Sequence, residues 1–267
     1  MEKIKKILKL ILPPIFLDFL RRINRYGWHG NYKTWGEASR KSTGYNNNII
    51  FEKVKEASLK VKNCEAIYER DGCIFDKIEY SWQLLCGILY AKAKYNNLSI
   101  LDFGGSLGTI YYQNRKFLNG LDLKWGIVEQ KFFVDIGIKE FQDNVLRFYY
   151  DVDSCIKDIK PNVLIISNTI QYIENPYELL DKLLVNNFKI IIIDRTPFLD
   201  KEEEDKIKLQ IVPPNIYKAS YPCWIFNEKK FIYYFEKKGY EIIETFEDSL
   251  PKYGNFSFKG MIMEKKG

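Results

Sequence analysis

The chain has 267 residues, 46% of them apolar and 28% charged, with a net charge of +6. Such a length gives one large domain, or a core with an extra segment, and enough apolar chain to bury it. The mild positive charge suits an anionic small molecule or a membrane surface; with no arginine-rich tract and no zinc or RNA-module signature, no nucleic-acid partner is expected.

The N-terminus places Ile4, Ile7, Leu8 and Ile11 at helical spacing, with Lys3, Lys5, Lys6 and Lys9 between them, and Pro13-Pro14 stops that helix. Lysines interrupt the apolar run and no small-residue cleavage site follows, so this is not a signal peptide. It is also too broken to span a bilayer. An amphipathic basic stretch over 1–25 can lie on an anionic membrane or pack its apolar face on the core, and both readings stand.

Residues 28–94 read as mostly helical, with clear periodicity over 48–62 and 80–95 and a polar turn at Tyr68-Glu69-Arg70-Asp71-Gly72. The division expected is an N-terminal helical segment, 1–79, that covers the substrate, and a core, 80–267, with a lid insertion at 195–224.

The core opens on Ile100-Leu101-Asp102-Phe103-Gly104-Gly105-Ser106-Leu107-Gly108. An apolar run ends in an acid and passes into a glycine-rich turn, where missing side chains let backbone approach a ligand. A dinucleotide fold would show G-x-G-x-x-G here. The form present, G-G-S-L-G after an acid, resembles motif I of class I S-adenosylmethionine (SAM) methyltransferases, whose turn wraps the methionine end of the cofactor.

Strand and helix then alternate. Helix Tyr111–Leu118 leads to strand Trp125–Glu129, and helix Phe132–Phe141 to strand Leu146–Tyr150. Strand Val163–Ser167, helix Tyr177–Leu184 and strand Lys189–Asp194 follow. The continuous apolar strands are those of a sheet covered on both faces. Helix Asn227–Lys238 has an N-cap in Asn227 and a stop in Gly239. Two strands, Tyr240–Glu247 and Phe256–Glu264, end the chain without a helix between them. The expected fold is α/β: a class I SAM-methyltransferase (Rossmann-like) seven-stranded sheet with a terminal antiparallel β-hairpin, plus the N-terminal helical segment. A dinucleotide domain would add another crossover instead.

The stretch 195–224 is too long for an ordinary connection. Its acidic run, Glu202 to Asp205, reads as a solvated helix face; Tyr221 and Trp224 either line a pocket or pack on the core. The cysteines, Cys64, Cys73, Cys86, Cys155 and Cys223, include no C-x-x-C pair. They read as reduced thiols of a cytoplasmic protein, with no disulfide framework and no metal site.

Ligands of an open α/β sheet sit beyond the carboxyl ends of its strands. That rule gathers Asp102, Gly104, Gly105 and Ser106 for the cofactor's amino-acid end, and Glu129 for the ribose hydroxyls, which a carboxylate can accept in pairs. Gln130 would flank the adenine, Asp151 or Val152 would read its edge, and Asn168 would sit under the methionine arm. Methyl transfer from a sulfonium needs alignment above all. A hydroxyl acceptor also needs a base, for which Asp194, Tyr172 and His29 are candidates; an anionic acceptor needs only cations, offered by Arg195, Arg70 and Arg115. A lone histidine in Gly-Trp-His-Gly-Asn-Tyr is as a rule a turn or surface residue.

Several strings together carry a further resemblance: Tyr26-Gly27-Trp28 with Gly30-Asn31-Tyr32, Tyr68-Glu69-Arg70-Asp71, the glycine turn, Val128-Glu129-Gln130-Lys131, Ile193-Asp194-Arg195-Thr196-Pro197 and Ala219-Ser220-Tyr221-Pro222-Cys223-Trp224. From about Arg25 onward the chain resembles a bacterial family of SAM-dependent methyltransferases often encoded with capsule or lipopolysaccharide biosynthesis genes. The resemblance implies a class I core, SAM as cofactor and a surface-polysaccharide context. It does not fix the acceptor or a catalytic residue. The expected activity is O-methylation of an anionic glycan precursor or decoration, either a nucleotide-linked sugar or a phosphate or phosphoramidate group. Glu69, Arg70, Arg195, Tyr221 and Trp224 would face the acceptor. The expected place is the cytoplasm or, through 1–25, the inner membrane face. Rival readings are a non-catalytic SAM-fold scaffold in polysaccharide assembly and an NAD(P)-dependent nucleotide-sugar enzyme.

Overall fold

The computed structural model describes residues 26–44, 47–201, 204–214 and 216–267. The expected helix over 1–25, and the membrane question with it, lies outside the described residues, as do Glu202 and Glu203. Among the described residues no helix is long and apolar enough to cross a membrane, and no cluster of His, Cys, Asp and Glu could hold a metal ion. The chain divides into a larger unit, Asn47–Asp205 with Trp224–Gly267, and a smaller one, Met1–Asn46 with Lys206–Cys223.

The larger unit begins with helix α1 (Asn47–Lys62) and a hairpin of strands β1 (Tyr68–Arg70) and β2 (Cys73–Phe75). The sequence reading took this stretch as helix and polar turn. Asp71 and Gly72, at φ 53° and 72°, close a tight turn instead, and Asp-Gly is a pair that accepts the left-handed conformation a two-residue hairpin requires. Helix α2 (Trp82–Tyr95) leads into β3 (Leu98–Phe103), α3 (Thr109–Leu118), β4 (Leu123–Val128) and α4 (Lys131–Ile136). Then come β5 (Leu146–Tyr149), α5 (Val152–Ile159), β6 (Val163–Ser167), α6 (Pro176–Leu184) and β7 (Ile190–Leu199). Strand β8 (Ser220–Asn227), which belongs to this unit from Trp224 on, helix α7 (Glu228–Lys237) and strands β9 (Tyr240–Glu247) and β10 (Phe256–Lys265) complete it.

The strands of the larger unit run β5-β4-β3-β6-β7-β10-β9, with β8 paired parallel to the far end of β7, one strand beyond the expected seven. Strands β5 to β7 are parallel and β10 is antiparallel to both neighbours. This is the mostly parallel α/β sheet with a terminal antiparallel hairpin that the alternating elements foreshadow. The chain winds outward from β3 to β5, then crosses to β6 on the opposite side. The switch between β3 and β6 opens a crevice at their carboxyl ends.

Burial explains why these elements form. Val163 to Ile166 and Ile190 to Ile193 are buried, and Leu164, Ile166, Ile191 and Ile193 pack in one core with Phe231 and Phe235 of α7. Helix α7 starts where the Asn227 side chain accepts the Lys230 N–H, and Gly239, at φ 81°, follows its end, as the sequence indicates. Strand β7 runs past Asp194 to Leu199, where Phe198 pairs with Phe226 of β8 and Ser257 of β10.

In the smaller unit, strand Gly27–Tyr32 pairs antiparallel with strand Lys206–Ile211, setting Trp28 opposite Gln210 and His29 opposite Leu209. Helix Trp35–Lys41 is capped by Thr34, and the Thr43 N–H donates to Ser220 Oγ at 2.8 Å. Much of 195–224, read from the sequence as a lid, is therefore strand.

Candidate functional site at the carboxyl edge of the sheet

Asp102 ends β3, and the turn after it is shaped around its carboxyl group. Gly104 has φ 74° and donates its N–H to Val128 O at 2.9 Å; a Cβ there would lie 2.5 Å from Thr169 Cγ2. At Gly105 a Cβ would lie 2.5 Å from Asp102 Oδ2. No side chain fits between carboxylate and turn, which is why glycines stand here. Ser106 continues the turn at φ 55° before α3 begins.

Asp102 is buried. Its Oδ2 accepts the indole N–H of Trp125 at 3.1 Å, while Oδ1 is buried with no partner among the described residues. Burial, reinforced by the nearby Glu129 charge and only partly offset by the indole, pushes the carboxyl up to about 7. A buried acceptor without a donor is costly, so this oxygen marks a place where a ligand's donor fits.

Glu129 follows β4, half-buried, and accepts the Gln130 backbone N–H; burial raises its carboxyl. Gln130 is exposed at the start of α4. Asp151 caps α5, accepting the Ser154 N–H at 2.7 Å and the Ser154 hydroxyl at 3.0 Å, and these bonds lower its pKa. Its carboxylate is thus occupied by the helix, whereas Val152 packs its side chain on the core. Asn168, at φ 52°, donates its N–H to Asp194 O at 3.0 Å and accepts Gln171 Nε2 at 2.7 Å. Gln171 is fully buried, donates also to Arg195 O at 3.3 Å, and leaves Oε1 without a partner. No sequence pattern marks Gln171; only its position just after β6 could have drawn attention to it.

Asp194 is buried where β7 passes the edge of β6. Its carboxylate accepts Ser167 Oγ at 2.9 Å and Ser81 Oγ at 3.4 Å; burial raises it and the Arg195 charge opposes. Arg195, at φ 50°, places Nε 3.2 Å from Asp248 Oδ2 and 3.9 Å from Asp194 Oδ2. Asp248 was not singled out from the sequence, because it stands far along the chain just after β9. Burial also raises the Tyr68 phenol, which Arg195 faces.

The β1–β2 hairpin meets the glycine turn through Glu69. This buried acid accepts the Thr109 hydroxyl, at the start of α3, and the Gly72 N–H at 3.2 Å; burial pushes it up to about 6. Arg70 pairs with Glu79 at 3.3 Å and lies over the Phe75 ring. Tyr172 is half-buried in the turn after β6. Trp224 donates to Ile173 O at 3.0 Å and stacks on Phe226, so its ring packs on the core. Arg115 donates to Val61 O at 3.4 Å, a tie between α3 and α1.

The structure thus groups Asp102, Gly104, Gly105, Ser106, Glu129, Asn168, Asp194, Arg195 and Glu69 at one edge of the larger unit. His29, with a buried Nε2 that has no partner, and Tyr221, whose hydroxyl meets that of Tyr217 at 3.3 Å, belong to the smaller unit.

No protein-family model matches the chain, and no curated protein sequence is similar to it. Solved structures do resemble it at a distance. The N-terminal domain of EvdMO1, in the presence of SAH and D-fucose, aligns with TM-score 0.49 and 10% identity over 83% of this chain and 98% of that one. A SAM-dependent methyltransferase from Clostridium acetobutylicum ATCC 824 aligns with TM-score 0.46 and 11% identity over 71% and 93%. The glycopeptide N-methyltransferase MtfA, complexed with sinefungin, aligns with TM-score 0.46 and 10% identity over 68% and 85%. At such distances the likeness concerns fold alone.

Proposed function

We propose that this protein is a SAM-dependent methyltransferase of small molecules. The observation that carries the reading is the unpartnered buried Oδ1 of Asp102 beneath the Gly104-Gly105 turn, at the sheet's switch point and beside Glu129. Asp102 and the turn 104–106 would hold the cofactor's amino-acid end, with Asn168 under it, and Glu129 would accept the ribose hydroxyls. With the Asp151 carboxylate engaged as a cap, the adenine edge falls to backbone around Val152, with Gln130 at its flank. Bound there, the cofactor supplies an electrophilic methyl group on a sulfonium.

The acceptor we propose is a hydroxyl of a glycan precursor, the context suggested by the family resemblance. Charge balance favours a neutral reacting group over a phosphoryl oxygen. Arg195 is paired with Asp194 and Asp248, and Arg70 with Glu79, so the positive charge of both arginines is already balanced by carboxylates. A hydroxyl needs a base, and Asp194 is the best placed: Ser81, Ser167 and Arg195 orient it, and burial raises it toward the range useful for taking a proton. Tyr172 is the second candidate.

Calorimetric titration with S-adenosylhomocysteine (SAH) tests the cofactor site. The wild type should bind, and Glu129→Ala should bind at least about tenfold more weakly, one charge-assisted hydrogen bond being worth about 1.5–3 kcal/mol. A wild-type protein that binds neither SAM nor SAH would sink the reading.

A further inference from the structure

Trp125 is fully buried in β4, with its ring held edge-on by Tyr111 of α3 at 5.7 Å. Its single N–H donor points at Asp102 Oδ2, 3.1 Å away. Both carboxylate oxygens lie under Gly105, Oδ2 at 2.5 Å and Oδ1 at 2.9 Å from where a Cβ would stand, and the indole takes Oδ2. The other oxygen, Oδ1, is buried and has no partner among the described residues. An indole N–H only donates, so it favours the ionised over the protonated carboxyl at the oxygen it touches.

We propose that Trp125 is a positioning residue: its N–H favours the ionised form of Asp102 and leaves Oδ1 to the ammonium group of the cofactor, so that cofactor binding is coupled to loss of the proton that part of the free protein still holds on Asp102. The inference rests on the methyltransferase reading. It concerns a residue of β4 that neither the glycine turn nor any strand-end rule marks.

The electrostatics agree with the geometry. Burial works against the Asp102 charge, Glu129 at the end of β4 adds repulsion, and the Trp125 hydrogen bond opposes both. From the other neighbouring strand, β6 sets Ile165 opposite Asp102, without charge. From α3, Tyr111 meets the Trp125 ring. Among the described residues Glu129 is the one charged group that acts on Asp102. With the carboxyl near 7, a good part of the free protein holds Asp102 neutral at pH 7, and a cationic ligand must expel that proton.

The test is the affinity for SAH, by calorimetry in buffers of different ionisation heat, between pH 6 and pH 8. The wild type should bind about tenfold more weakly at pH 6 than at pH 8 and release protons on binding near pH 7. Trp125→Phe keeps an aromatic ring and removes the donor; its affinity midpoint should move up by about one pH unit, with binding at pH 7 several-fold weaker. Should that variant fold poorly, Asp102→Asn serves: its step between pH 6 and pH 8 should shrink, as should the proton release. Affinity of the wild type that is flat with pH, an unmoved midpoint in Trp125→Phe, or an undiminished step in Asp102→Asn overturns the inference alone. Absence of SAH binding by the wild type at every pH overturns the methyltransferase reading and this inference with it.

Discussion

Arg195 and Asp248 form a side-chain ion pair at 3.2 Å between the middle of β7, next to Asp194, and the turn after β9. Both side chains are largely shielded from water, and the Arg195 backbone takes φ 50° to present its guanidinium there. A shielded pair of this kind fixes a geometry more than it stabilises a fold, because desolvation offsets most of the attraction. Its consequence here is chemical: the cation nearest the proposed base is already neutralised.

Breaking that pair from one side should therefore be costly. Asp248→Ala leaves Arg195 with Asp194 and Asp71 as counter-charges, and we expect a loss of about 3 kcal/mol in chemical denaturation. Asp248→Asn, which still accepts a hydrogen bond, should lose about half as much. Equal stability of all three proteins would mean that the pair is immaterial.

Asp194→Asn separates binding from chemistry. The variant should bind SAH within about threefold of the wild type and lose about 10²–10⁴ in turnover once an acceptor is found. Arg70→Ala should change turnover little, since its guanidinium is spent on Glu79. A large loss in Arg70→Ala with an active Asp194→Asn would favour an anionic acceptor held by cations, and would remove the base from the mechanism.

Gly105→Ala probes the contact between turn and carboxylate. The added Cβ would meet Asp102 Oδ2 at 2.5 Å, so either the turn or the carboxylate must shift. SAH affinity should fall at least about tenfold while the melting temperature changes by a few degrees only. Unaltered affinity would show that the turn does not touch the cofactor.

Stability of the ligand-free protein should fall as pH rises. Asp102 at about 7 and Glu69 at about 6 both lie above their ordinary carboxyl values, chiefly because burial disfavours the charge. The folded state therefore holds protons that the unfolded chain has released. The stability this gives is complete below about pH 4 and lost as pH climbs through 6 and 7. Unfolding between pH 5 and pH 8 should show this decline, and Asp102→Asn should flatten it, with a gain at pH 8 of no more than about 4 kcal/mol. Saturating SAH should also shrink the decline, since the ligand stabilises the ionised form. A ligand-free protein whose stability rises over this range would contradict the burial of these acids.

By itself the sequence determined the layout of the larger unit. Continuous apolar runs such as Val163–Ile166 and Ile190–Ile193 can only be strands covered on both faces, and the acid–glycine turn after Leu101 marks the strand that feeds the crevice. These signals are legible because strand burial and turn conformation are local properties, written in neighbouring residues. The short β1–β2 hairpin was missed because three-residue strands are too brief to show a period, and its Asp-Gly turn resembles any polar loop. Only the tertiary structure decided which partner each polar group takes. Asp102 meets Trp125 across two strands, Glu69 meets Thr109 across the hairpin and the start of α3, and Arg195 of β7 meets Asp248 after β9 from the two sides of β10. Asp151, in the sequence a candidate reader of adenine, also caps its own helix. Charge and hydrogen-bond capacity belong to the residue type, but whether they are free to act depends on what the fold packs against them; that information lies in contacts between distant residues, which no local pattern encodes.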